Sequence, residues 1–163
     1  MVTLPPVVKS VSVNCGPEKA FRYFTEDFNQ WWPGASHSVV AFASEHKESP
    51  VLCELEAKTG GRIFEKASNG DMHNWGTIVE WEPPFRLAFT WHPGGPADTA
   101  QRVEITFSPV SGGTLVELSH TGWEKLGANA KDAWKGYDNG WETVFSKCFA
   151  DYANAEVITD PHR

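Results

Sequence analysis

The residues best placed to do chemistry sit among apolar neighbours. His120 ends the run Thr114 to His120, sharing parity with Val116 and Leu118, and therefore faces the same buried side. A polar group left unpartnered there costs about 1–3 kcal/mol. His120 is thus either a hydrogen-bonded histidine at a strand end or a polar anchor or proton-transfer group in a cavity. Glu65 shares parity with Ile63 and Ala67, whereas Phe64 points the other way. We expect a solvated carboxylate; turned inward, Glu65 would pair with Arg102 or His120. Arg102 shares parity with Glu104 and Thr106, opposite Val103, Ile105 and Phe107, which places it on the outer face and weakens a Glu–Arg catalytic pair.

Other chemistries lack their motifs. The histidines at 37, 46, 73, 92, 120 and 162 show neither H-x-x-x-H nor H-E-x-x-H spacing and accompany no cysteine pair, so no metal site is expected. Cys15, Cys53 and Cys148 are odd in number and far apart, which favours buried thiols over a disulfide framework. A nucleophile elbow, a phosphate-cradling loop and a dinucleotide fingerprint are all missing from the sequence, and no cofactor is expected.

Aromatic side chains supply the second set of candidates, for the chain holds 8 Trp, 10 Phe and 3 Tyr. In Phe85 to His92, Phe85, Leu87, Phe89 and Trp91 share one side, predicted to be inward. On the run before it, Trp75, Thr77, Val79 and Trp81 share a face, and Pro83-Pro84 makes the reversal between the two. These faces are either plain core or, at Trp75 and Trp91, the border of a pocket for an apolar or ring-bearing ligand. Towards the C-terminus Trp134, Tyr137, Trp141, Val144 with Phe145, Cys148 and Tyr152 fall at steps of three and four, the stripe of a helix of six or seven turns. That stripe is either a pocket lid or a core plug. Gly136 and Gly140 interrupt it, each at a cost of about 1 kcal/mol against Ala, and mark either a bend or room for a neighbouring strand or ligand.

The elements that must position these residues follow from pattern. Val7 to Asn14 alternates, with Val7, Lys9, Val11 and Val13 on one side. Pro17 then opens one helix or two short ones carrying Ala20, Phe21, Phe24, Phe28 and Trp31, ending at Trp32-Pro33. Ser36 to Pro50 is irregular and predicts a loop or a short extra element. Six β-like runs follow (51–57, 62–67, 73–81, 85–92, 102–108 and 114–120), separated by Gly, Asn and Pro turns, which predicts an antiparallel meander closed by the final helix.

At 163 residues the chain fits one domain spanning 1–163. The formal charge of −7 and the lack of a basic run argue against nucleic acid or an anionic membrane surface as partner. The N-terminus has no basic region followed by an apolar stretch, and no window approaches the roughly 18 apolar residues of a membrane span, so a soluble, cytoplasmic protein without membrane insertion is expected. Aromatic content adds the expectation of a homodimer.

Strand, helices, six strands and a long helix resemble the helix-grip fold of the START-like (SRPBCC) superfamily, an α+β class in which a curved antiparallel sheet grips a C-terminal helix. The words "GGRIFE", "NWGTIVEWEPPFRLAFTW", "VEITF", "VELSHTGWE" and the "GW" at Gly140-Trp141 narrow this to the branch resembling the activator of the ninety-kilodalton heat-shock protein's ATPase. The resemblance implies a small hydrophobic or aromatic ligand between sheet and helix, met by Trp75, Phe89, Trp91, His120, Trp134, Tyr137 and Trp141. Two alternatives accompany it. One is a cochaperone-like partner of a chaperone, although the eukaryotic activator has a further domain for which this length leaves no room. The other is a polyketide cyclase-like enzyme using His120, Glu65 and Tyr137.

Overall fold

The alternation near the start of the chain becomes β1 (Val7–Val13), with Val7 and Val13 buried and Val8 exposed. The structure, a computed structural model, describes residues 4–159, so His162 lies outside the described residues. Gly16 and Pro17 start α1 (Pro17–Thr25), where the missing proline N–H leaves no intrahelical bond unmade. The helical run is broken into two, and α2 (Phe28–Trp31) continues the same apolar side with Phe28 and Trp31 buried. Within the irregular stretch a five-residue helix, α3 (Val39–Ala43), forms because the Ser38 hydroxyl accepts from the backbone N–H of Ala41 at 3.0 Å.

Six further strands follow: β2 (Leu52–Leu55), β3 (Arg62–Lys66), β4 (Met72–Glu82), β5 (Arg86–Trp91), β6 (Gln101–Val110) and β7 (Gly113–Thr121). They form one 7-stranded antiparallel sheet in the order β1-β7-β6-β5-β4-β3-β2, a meander with the first strand added beside the last. Val110 pairs with Gly113, leaving Ser111-Gly112 as a two-residue turn, and Gly112 takes the φ of 84° that such a turn requires. A 3₁₀ segment (Trp123–Asn129) leads into α4 (Ala130–Thr143), a π-helical turn (Val144–Phe149) and α5 (Ala150–Thr159), continuous as the C-terminal helix. Phe149 meets Phe24 at 5.3 Å and Trp31 at 5.2 Å between ring centroids, so helix and sheet close on an aromatic core through α1 and α2. This is the expected α+β helix-grip fold. Among the described residues no helix is long and apolar enough to cross a membrane.

Two inward assignments are corrected by the strand geometry. Opposite β5, Ile78 pairs with Phe89 and Glu80 with Ala88, so Val79 is an extra residue in a bulge. Because side-chain direction alternates, one inserted residue reverses it: Ile78 is buried, and Val79 is 45% exposed. A second irregularity pairs Ile63 with Gly76 and Phe64 with Asn74, leaving Trp75 between them, and such bulges curl a sheet. Phe85, read as inward, is 54% exposed, because it belongs to the turn in which its N–H donates to the Glu82 carbonyl. Leu87, Phe89 and Trp91 point inward as expected. Arg102 lies on the outer face with Arg86, Glu80 and Glu104 in an ion-pair network.

Candidate functional site

Where sheet and helix do not touch, a cavity of about 370 Å3 remains. Its walls come from three places. The sheet supplies Trp75 and Trp91, and the loop after β5 adds Pro93 and Gly94. The C-terminal helix supplies Tyr137, Gly140, Trp141 and Val144. The third wall is the segment from Trp32 through α3, with His37, Ser38, Val39, Phe42 and Ala43. Phe42 is 65% exposed and stands at the rim.

Four indoles form a connected cluster. Trp32 lies 5.1 Å from Trp75, 5.9 Å from Trp91 and 6.0 Å from Trp141, while Trp91 is 5.6 Å from Trp75 and 5.5 Å from Trp141. Tilted and edge contacts at these distances are the favoured aromatic geometries, so the wall is packed ring on ring as well as apolar. Gly140 decides part of the shape. A Cβ placed there would meet nothing within 4 Å, so this glycine keeps cavity space open instead of allowing a strand to approach; Gly136 also has open space beside it, but it is exposed and does not line the cavity.

The cluster's N–H groups separate into satisfied and unsatisfied ones. Trp32 donates to the His37 carbonyl at 2.7 Å, Trp75 to Glu65 at 2.7 Å and Trp141 to His120 Nδ1 at 2.9 Å. Trp91 Nε1, fully buried, makes no well-formed hydrogen bond among the described residues, although the Tyr137 hydroxyl is near enough to feel its N–H. Beside it stands Tyr137, whose phenol is pushed up by burial, opposed by the adjacent Trp91 N–H. Tyr137 is therefore a protonated hydroxyl at neutral pH.

His120 points inward as read, but the structure places it behind the wall. It stacks on Trp123 at 4.1 Å and lies 4.8 Å from Tyr137, which separates it from the cavity. Because an indole N–H only donates, Nδ1 is the acceptor; Nε2 then carries the proton and faces Gln101 Oε1 at 3.2 Å. Both nitrogens are used. Burial holds its pKa down at about 3. An unfolded chain protonates this group near its ordinary value of 6.5, whereas the folded chain resists until about 3, so the contribution is complete above the first value and lost as pH falls through the second. Stability of the wild type is expected to fall by up to about 1.4 kcal/mol per pH unit more steeply than that of His120→Gln across this window. Urea titrations over the acid range check it; parallel pH dependence in the two proteins would remove His120 as the cause.

Glu65 corrects the expectation of a solvated carboxylate. It is fully buried, and accepts from Trp75 Nε1, from the Val39 N–H at 2.6 Å and from the Val40 N–H at 2.9 Å. It pairs with neither Arg102 nor His120; it ties α3 and Trp75 together. Cys53, beside it in the adjacent strand, has its thiol pushed up to about 12 by burial and then by the Glu65 charge.

Of the side chains read as ligand-facing, Trp75, Trp91, Tyr137 and Trp141 line the cavity. Phe89 packs behind Trp91 at 5.6 Å, and Trp134 is turned away, donating to the Pro5 carbonyl at 2.7 Å. Sequence reasoning missed Trp32, His37 and the whole α3 wall. The available signal was local: a second tryptophan before Pro33 breaks the helical spacing that Trp31 obeys, so its ring must serve a different surface.

The model of a family described as "Activator of Hsp90 ATPase homolog 1-like protein" matches residues 14–154. A comparison with curated proteins returned no match. Among solved structures, protein NE0264 from Nitrosomonas europaea is similar with a TM-score of 0.62 at 15% identity, over 93% of this chain and 96% of that one. Protein BH1534 from Bacillus halodurans gives 0.59 at 22% identity, over 88% and 93%. At these identities the likeness shows the fold. An anthrahydroquino-gamma-pyrone synthase, Txn09, solved in complex with SUM, is 35% identical, with a TM-score of 0.61 over 91% of this chain and 97% of that one.

Proposed function

The chain belongs to the Activator of Hsp90 ATPase homolog 1-like protein family, and on that premise we propose that it holds a flat hydrophobic or aromatic molecule between the sheet and the C-terminal helix. One observation carries this reading: an aromatic-walled cavity of about 370 Å3 contains in its wall a buried indole N–H, that of Trp91, with no well-formed hydrogen bond among the described residues. The volume falls within the roughly 300–1,000 Å3 of small-molecule sites, which are mostly apolar with a few placed polar groups. An unsatisfied buried donor costs about 1–3 kcal/mol, and a ligand oxygen reaching Trp91 together with the Tyr137 hydroxyl would recover part of it.

The test fills the cavity from its own wall. Gly140→Leu is expected to leave the fold intact, and to raise stability by up to about 1 kcal/mol through helix propensity, because a side chain at this position enters open space. The same change should weaken binding of planar aromatic probes, followed by tryptophan quenching, by about tenfold or more. Unchanged affinity in a folded Gly140→Leu protein would sink the reading.

A second reading, a cyclase-like enzyme, is favoured by the 35% identity to a protein described as a synthase of an anthrahydroquino-gamma-pyrone. Cavity walls that orient a reactive polycyclic chain would supply its main contribution. Of His120, Glu65 and Tyr137, Tyr137 is the one that reaches the cavity, as a proton donor. Turnover of a cyclisable aromatic ketide, reduced by Tyr137→Phe without loss of fold, is the result this reading requires.

A further inference from the structure

The polar inventory of the cavity holds one more group. Ser38 is spent, its hydroxyl donating to the Gly34 carbonyl at 2.7 Å while accepting from Ala41. The N–H groups of Trp32, Trp75 and Trp141 are committed elsewhere. His37 is different. Its backbone is fixed on both sides, the N–H donating to the Pro33 carbonyl at 2.8 Å and the carbonyl accepting from Trp32 Nε1 at 2.7 Å. Its ring is held through Nδ1, 2.7 Å from the Ser36 hydroxyl. That hydroxyl also lies 3.3 Å from the Pro33 carbonyl oxygen; we assign the Ser36 proton to that oxygen and the Nδ1 proton to Ser36 Oγ, the tautomer in which both contacts are hydrogen bonds. Nε2 is left with the lone pair and, among the described residues, with no hydrogen-bond partner in the protein. Burial, and next the nearby His46, hold the imidazole below its ordinary pKa, so the ring stays neutral and Nε2 stays an acceptor at neutral pH.

We propose that His37 makes the cavity selective for hydroxylated aromatics, the ligand's hydroxyl donating to His37 Nε2 while its rings lie against the tryptophan cluster. The assignment rests on the cavity reading above and deepens it. A donor-bearing ring system, a phenol or naphthol, fits; its O-methylated counterpart, equally flat and apolar, leaves Nε2 desolvated and unpaired. His120, the histidine that sequence parity singled out, has no free nitrogen with which to do this. Ser36 acts as a positioning residue, since it selects the ring nitrogen that accepts.

The experiment compares 2-naphthol with 2-methoxynaphthalene as probes, titrated against the full chain by calorimetry. The wild type is expected to prefer 2-naphthol by about tenfold, the scale of one well-made hydrogen bond. In His37→Phe the preference should collapse to about twofold or less while affinity for 2-methoxynaphthalene is kept; Ser36→Ala, a milder change at a half-exposed site, should lose part of the preference and serves if His37→Phe does not fold. Equal binding of both probes by the wild type, or a preference undiminished in the two variants, overturns the role of His37 and leaves the cavity reading standing. Failure of the wild type to bind either probe overturns both.

Discussion

Trp141→Ala is expected to cost about 3–5 kcal/mol of stability and to abolish retention of an aromatic ligand. Three losses combine at this one residue. The ring is buried between sheet and helix, with Trp91 at 5.5 Å, Trp32 at 6.0 Å and Tyr137 stacked at 6.3 Å, so truncation opens the cavity into the core. Its N–H donates to His120 Nδ1, so His120 loses the donor that sets its tautomer. The cavity also loses one of its walls. Trp141→Phe separates these effects: most of the ring area remains and the N–H goes, so a smaller cost of about 1–3 kcal/mol is expected. Denaturant unfolding checks both, and a loss below about 1 kcal/mol for the alanine variant would contradict the packing described.

Glu65→Ala is the second large effect. Truncation strands three donors at once, the indole N–H of Trp75 and the backbone N–H groups of Val39 and Val40. A stranded buried donor costs about 1–3 kcal/mol, and water reaching the end of α3 would offset part of the total, so a loss of about 3 kcal/mol or more is expected. The local signature distinguishes this from general weakening: amide exchange at Val39 and Val40 should accelerate beyond that of the strands, because these N–H groups open α3, have no intrahelical acceptor and are held by Glu65. Glu65→Gln keeps the shape but offers one acceptor oxygen where the carboxylate offers two, and should fall between. If exchange in α3 is unchanged by Glu65→Ala, the carboxylate does not hold the wall.

These residues show what was legible in the chain. The inward sides of β1 and β5 and the stripe of the C-terminal helix were read correctly, because alternation and three-to-four spacing are properties of neighbouring residues. Val79 and Phe85 were misread for the same reason: a bulge or a turn changes direction without changing composition. His120 was rightly placed inward, yet its partners lie 19 and 21 residues away and converted it from a cavity candidate into a satisfied buried group. Glu65 looked like a surface carboxylate because the donors that bury it sit 25 and 26 residues earlier, in a helix its own strand does not announce.

The sequence by itself determined the α+β class, the order of elements, the helix-grip resemblance and an aromatic face on β4 and β5, since backbone period and apolar burial are written locally. Tertiary structure alone decided which rings meet the cavity and which fill the core, that Trp32 and α3 form its third wall, and that, among the described residues, Trp91 Nε1 and His37 Nε2 make no well-formed hydrogen bond. The physical reason is that hydrogen-bond satisfaction and empty volume depend on every element that converges on a point. Periodicity tells which way a side chain faces; only the folded chain tells what it finds there.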